Sequence, residues 1–99
     1  MLPRVNLIRA NSADYLLFST DDAISRAIYI RGQWCEPIAT ISSAFYSECS
    51  APLILDIGAN LGGYSIPIAQ DIQKVNGEIY AFEPQRIIFY QLCGNILLN

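Results

Sequence analysis

The stretch that most constrains this chain is Leu53-Ile54-Leu55-Asp56-Ile57, a near-continuous apolar run that meets a glycine turn, Gly58 to Gly63, and then a helical pattern. A short apolar run bounded by turn residues reads as a strand buried on both faces of a parallel sheet. The helical pattern extends from about Gly62 or Gly63 to Ile72, with Ile66, Ala69 and Ile72 as its apolar positions. Pro67 is tolerable there only in the first turn. Asn76-Gly77 is a turn dipeptide that ends it. Glu78 to Phe82 repeats the buried-strand pattern, and Pro84 to about Asn99 repeats the helical one, with Ile88, Leu92 and Ile96 turned inward and Phe89 and Leu97 as further candidates. Strand, helix, strand, helix predicts an α/β fold built on a right-handed parallel βαβα unit.

The first half has a different texture, more polar and irregular. Tyr15-Leu16-Leu17-Phe18 suits a strand that closes in a turn at Ser19-Thr20-Asp21-Asp22. Asp21 or Asp22 can cap a helix from about Ala23 to Tyr29 or Ile30, with Ile24, Ala27 and Ile28 on one face and Gly32 as its left-handed stop. A second helix is expected from Pro37 to Tyr46, where Ile38, Ile41 and Phe45 align at i, i+3 and i+7. Ser50-Ala51-Pro52 reads as a linker. The chain therefore divides into an N-terminal extension over 1–52, a strand plus helices, and a βαβα portion over 53–99.

Ninety-nine residues suffice for one modest core and exclude a two-lobed enzyme. The net charge of −3 and the single lysine, Lys74, leave no basic stripe to neutralise phosphates, so nucleic acid is not an expected partner. No apolar run approaches the ~18–20 residues of a membrane span. Pro3, Arg4, Asn6 and Arg9 interrupt any signal-peptide core, which makes the cytoplasm the expected compartment. With no histidine, Ser-His or Cys-His catalysis and His-based metal sites are impossible within the chain. Cys35, Cys49 and Cys93 form no CxxC pair and are expected to be reduced, mostly buried thiols.

Chemistry concentrates at Asp56-Ile57-Gly58-Ala59-Asn60-Leu61-Gly62-Gly63, where a buried strand gives way to a helix. Open α/β sheets bind ligands at the carboxyl ends of their strands. Gly58 lets the chain turn off the strand and lets a ligand approach the backbone. Asn60 tolerates unusual backbone angles and offers a donor and an acceptor. Gly62 and Gly63 open the helix, whose free N–H groups can hold an anion. Asp56 is an acceptor suited to an ammonium group. Glu83 ends the second strand, 21 residues after Gly62, where an acid can accept both hydroxyls of a ribose. Together Asp56, Gly58, Asn60, Gly62 and Glu83 describe a nucleoside site.

A dinucleotide fold asks for G-x-G-x-x-G beneath a pyrophosphate. Here the spacing is Gly58-x-x-x-Gly62 with Asn60 in the middle, and Asp56 would repel a pyrophosphate but pair with the α-ammonium of a methionine moiety. S-adenosylmethionine fits better than NAD.

The segments Leu55-Asp56-Ile57-Gly58-Ala59-Asn60-Leu61-Gly62-Gly63-Tyr64-Ser65, Gly77-Glu78-Ile79-Tyr80-Ala81-Phe82-Glu83-Pro84 and Asn95-Ile96-Leu97-Leu98-Asn99 resemble the first two cofactor motifs and the following helix of the FkbM family of S-adenosylmethionine-dependent methyltransferases. The resemblance covers about residues 53–99 closely and the region before it more loosely. It implies a Rossmann-like class I methyltransferase fold and O-methylation of a small molecule or sugar. Asp56, Gly58, Asn60 and Gly62 match the loop around the methionine end of the cofactor, and Glu83 matches the ribose acid. Such folds hold more strands than the two central ones read here, so the adenine segment, the acceptor pocket and any catalytic base are expected beyond Asn99. A chain of this length is accordingly expected to be a cofactor-binding portion. Its open sheet edges would favour self-association, and a non-catalytic remnant is the rival reading.

Other prominent residues have plainer explanations. Asp21-Asp22 reads as a helix cap and its neighbour, not a metal pair. Trp34 reads as half-buried packing, Arg86 as a solvated first-turn residue, and Cys93 as core or interface. Tyr80 and Phe82 share one strand face by period two, which packing accounts for.

Overall fold

Two short runs of alternating character pair at the N-terminus: β1 (Val5–Arg9) and β2 (Asp14–Phe18) form an antiparallel hairpin in which Leu7 faces Leu16. The computed structural model describes residues 4–19 and 22–99. The hairpin strand β1 was not foreseen, because Asn6 and Arg9 break the apolar pattern and the pairing that rescues it lies across the turn. Helix α1 (Ala23–Arg31) starts at Asp22, whose Oδ1 accepts the Ser25 amide at 2.8 Å, and stops at Gly32 with φ +74°. Asp21, the alternative cap, lies outside the described residues. Helix α2 (Glu36–Tyr46) carries Pro37 in its first turn.

The second half follows the expected order. Strand β3 (Leu53–Ile57) pairs in parallel with β4 (Glu78–Phe82), in register from Leu53 opposite Glu78 to Ile57 opposite Phe82. Between them run α3 (Ser65–Ile72) and one short 3₁₀ turn, and α4 (Arg86–Leu98) follows. The fold is thus α/β, with one antiparallel and one parallel two-stranded sheet. Helix α3 begins two to three residues later than the glycines suggested. Gly62 sits at φ +98°, a conformation no helix contains, so the chain must complete its turn before the helix starts at Ser65. Pro67 is then the third helical residue, still within the first turn.

Two apolar clusters hold these elements together. One joins Tyr15 and Leu17 of β2, Ile28 of α1, Leu61 of the glycine loop and Ile66 of α3, with Trp34 packed against it. Ile24 and Ala27 flank Ile28 on the α1 face as the spacing predicted. The other joins Tyr46 of α2 to Ile68 and Ile72 of α3, against Ile54 and Ile79 of the parallel sheet. Helix α3 therefore contributes to both.

Three expectations about burial fail. Strand β3 is not buried on both faces: Leu53, Leu55 and Ile57 are 64%, 60% and 74% exposed, and Tyr80 and Phe82 beside them are about half exposed, not packed. Only the face bearing Ile54 and Ile79 is covered, because two strands and one connecting helix supply a single layer of cover. On α2, Ile38, Ile41 and Phe45 point outward, while Ala39 and Tyr46 make the inward contacts. On α4, Leu92 is buried and Ile88 partly so, but Phe89, Ile96 and Leu97 are exposed, and the amides Gln91 and Asn95 turn inward instead. The thiols depart as well: Cys35 and Cys93 are half-buried and Cys49 is exposed, all three free.

A contiguous apolar sheet face of this kind favours association. Sedimentation of the chain is expected to show a mass that rises with concentration, and Leu55→Lys with Phe82→Lys to hold it monomeric. A monomer at every concentration would contradict the expectation. Among the described residues, no helix is long and apolar enough to cross a membrane.

Candidate functional site

The glycine loop is tied to the end of β4 by three consecutive amides. The N–H groups of Gly58 and Ala59 both donate to the Phe82 carbonyl at 2.9 Å, and the Asn60 N–H donates to Glu83 Oε2 at 2.8 Å. The two motifs that the sequence separates by more than twenty residues thus meet directly. This follows from the parallel register: Ile57 lies opposite Phe82, so both strands end at one level and their following loops leave side by side.

Backbone conformation explains the residue types. Gly58 has φ +89°, and a Cβ built there meets nothing within 4 Å, so the strand end faces open space. Asn60 is left-handed at φ +52°, which asparagine tolerates better than most residues, and its Oδ1 accepts the Leu61 N–H at 2.8 Å. Glu83 uses its other oxygen, Oε1, to accept the Gln85 N–H at 2.9 Å, fixing the entry to α4. A carboxylate offers about four lone-pair positions, so these two amide bonds leave capacity for two further donors.

Asp56 accepts the Ser65 hydroxyl on Oδ2 at 2.5 Å. Ser65 is buried at the start of α3 and orients that carboxylate from the helix side. A cleft of about 230 Å³ lies over the strand end, lined by Asp56, Gly58 and Asn60 from the loop side and by Trp34, Cys35 and Tyr64 opposite. Of the five residues expected at the site, Asp56, Gly58 and Asn60 share this cleft, and Glu83 joins it through Asn60. Gly62 stands apart, buried against Ile66 and Leu92, where its lack of a side chain permits the turn.

The sequence pattern does not single out Ser65 as a partner of Asp56, and for Trp34 it favours half-buried packing over a substrate lid. Trp34 does pack, with its Cβ about 3.0 Å from where a Gly63 Cβ would stand, and it also walls the cleft. The spacing of Asp56 and Ser65 across a strand-to-helix turn was the available signal. Trp34 and Cys35 had none, because only the tertiary contact of the α1–α2 connection with the loop brings them there.

A larger cavity, about 590 Å³, lies beside it: an open groove between α2 and α3 that shares Trp34, Gly63 and Tyr64 with the cleft. It holds a polar chain in which the Tyr46 hydroxyl donates to Asp71 Oδ2 at 2.5 Å and Lys74 donates to Asp71 Oδ1 at 3.2 Å. Burial, then the bond to Asp71, raises the Tyr46 hydroxyl above its ordinary value, while the bond from Tyr46, then that from Lys74, holds Asp71 below the usual carboxylate range. These groups satisfy one another, so we place the site at the smaller cleft, where loop backbone and side chains converge. Among the described residues, no cluster of three or more histidine, cysteine, aspartate or glutamate side chains could hold a metal ion.

Comparison with protein-family models, with curated proteins and with solved structures finds no match for this chain.

Proposed function

We propose that this chain carries the donor half of an S-adenosylmethionine-dependent methyltransferase site on a Rossmann-like framework, acting on a small-molecule or sugar hydroxyl. The observation that carries the reading is the junction of the two motifs, with the Gly58, Ala59 and Asn60 amides held on the Phe82 carbonyl and the Glu83 carboxylate. It produces a hydrogen-bonded strand-end loop with an acid beside it and open space above Gly58.

The residues suit the two ends of such a cofactor. Asp56, braced by Ser65, would pair with the α-ammonium group. The spare lone pairs of Glu83 would accept the ribose hydroxyls. A cleft of about 230 Å³ is smaller than the roughly 300–1,000 Å³ of a complete ligand pocket, so it suits the methionine end, with the nucleoside lying over Glu83. When bound, the cofactor supplies an electrophilic methyl group on its sulfonium. This chain's own part is to orient that donor, since transfer between two held groups gains mainly from alignment.

Calorimetric titration of the chain with S-adenosylhomocysteine tests the reading. We expect binding, and a roughly 10- to 100-fold weaker affinity in Glu83→Ala, the size of one or two hydrogen bonds to a charged group. No binding, an unchanged affinity in Glu83→Ala, or stronger binding of NADH would overturn it.

A further inference from the structure

The inward face of α4 is polar where an apolar stripe was expected. Gln91, Asn95 and Asn99 recur every four residues and lie along the edge of β2 that β1 leaves unpaired. Gln91 Nε2 donates to the Leu16 carbonyl at 2.7 Å, and Asn95 Oδ1 accepts the Leu16 N–H at 2.7 Å. One turn further on, Asn99 Oδ1 accepts the Asp14 N–H at 2.9 Å and its Nδ2 donates to the Asp14 carbonyl at 2.8 Å. The spacings match: four helical residues rise about 6 Å, and two strand residues about 6.6 Å. The helix thus supplies to β2 the hydrogen bonds that a third strand would have made.

Asn95 differs from the other two. It is fully buried, and its Nδ2 donates to the carbonyl of Leu61 at 2.8 Å, inside the glycine loop and next to Asn60. A single side chain therefore binds the hairpin with one atom and the loop with the other. Leu61 itself is buried in the cluster that contains Leu17 and Tyr15, so hairpin and loop meet through apolar contact as well. An unmet buried carbonyl at Leu61 would be costly, and the loop would shift to find water.

We infer that Asn95 is a positioning residue for the loop, setting the Leu61 carbonyl and hence the left-handed Asn60 from the hairpin side. Its consequence for ligand affinity rests on the methyltransferase reading; its effect on the free loop does not. Linkage makes the coupling reciprocal: a ligand that orders the loop also protects the edge of β2.

The test compares Asn95→Leu with Gln91→Leu by amide hydrogen exchange in the free chain and by S-adenosylhomocysteine titration. Both variants remove one bond to Leu16, but only the first removes the bond to the loop. The expected result is faster exchange of the Asn60, Leu61 and Gly62 amides, by at least about tenfold in Asn95→Leu, with a similar loss of affinity, about what one hydrogen bond accounts for. Gln91→Leu should leave the loop amides within about twofold of the parent, well under that one-bond effect. Equal effects of the two variants, or unchanged loop exchange in Asn95→Leu, would overturn the inference. If Asn95→Leu does not fold, Asn95→Ser makes the same comparison, because its shorter side chain cannot span both partners. If the parent chain fails to bind S-adenosylhomocysteine, the methyltransferase reading falls while loop exchange still decides the role of Asn95.

Discussion

Replacing Gly62 by alanine is expected to destabilise the chain by about 2–5 kcal/mol, lowering the melting temperature by roughly 10 °C or more. Two costs add. At φ +98° any side chain strains the backbone. The new Cβ would also stand 2.8 Å from Ile66 Cδ1 and 3.0 Å from Leu92 Cδ1. The ends of those side chains could swing aside on a surface, but Ile66 and Leu92 are both buried and have nowhere to go. Gly58→Ala is the comparison. Its φ of +89° brings the strain, but nothing lies within 4 Å of its Cβ, so we expect a loss of only about 1–2 kcal/mol. The added methyl group would instead occupy the open space over the strand end and weaken ligand binding. Thermal scans and titrations on the two variants separate the roles: Gly62 shapes the turn from behind, and Gly58 clears the front. Equal melting temperatures in the two variants would contradict this division.

The parallel strands and their loop were legible because the information is local. An unbroken run such as Leu53-Ile54-Leu55, followed by glycine or asparagine at the positive φ of Gly58, Asn60 and Gly62, leaves few alternatives, and β4 begins and ends where its pattern does. Burial was less legible, for a physical reason. Apolar periodicity shows which side of a helix or strand is greasy, not whether anything covers it. Ile38, Ile41 and Phe45 keep their helical spacing and still face outward, while Ala39 and Tyr46 on the other side of α2 pack towards α3; Ser42 and the Tyr64 hydroxyl lie 2.8 Å apart there. On α4 the preference is overruled outright. The unpaired edge of β2 needs donors and acceptors, and leucines cannot supply them.

The candidate site divides in the same way. Asp56, Gly58, Asn60 and Glu83 lie at two strand ends brought level by register, so their meeting was predictable once parallel pairing was assumed. Ser65 lies only nine positions from Asp56 and carries a local signal. Trp34 and Asn95 reach the site only through packing of the α1–α2 connection and α4, and no pattern along the chain marks them.

Leu17→Ala probes that dependence from the hairpin end. Leu17 is fully buried in the cluster that includes Ile28, Leu61 and Ile66. Truncating a buried leucine costs about 2–5 kcal/mol, a large share of the roughly 5–15 kcal/mol that stabilises a chain of this size. Leu7 on the neighbouring strand is 64% exposed, and Leu7→Ala should change stability by no more than about 0.5 kcal/mol. The informative quantity is the shape of the transition. Because the cluster spans β2, α1, the glycine loop and α3, Leu17→Ala should lower one cooperative melt that far-ultraviolet circular dichroism and tyrosine fluorescence report alike. It should also loosen the loop amides, since Leu61 loses a neighbour in the same cavity that Leu17 vacates. Two separate transitions, with the loop amides unaffected, would mean that the N-terminal hairpin melts independently of the loop.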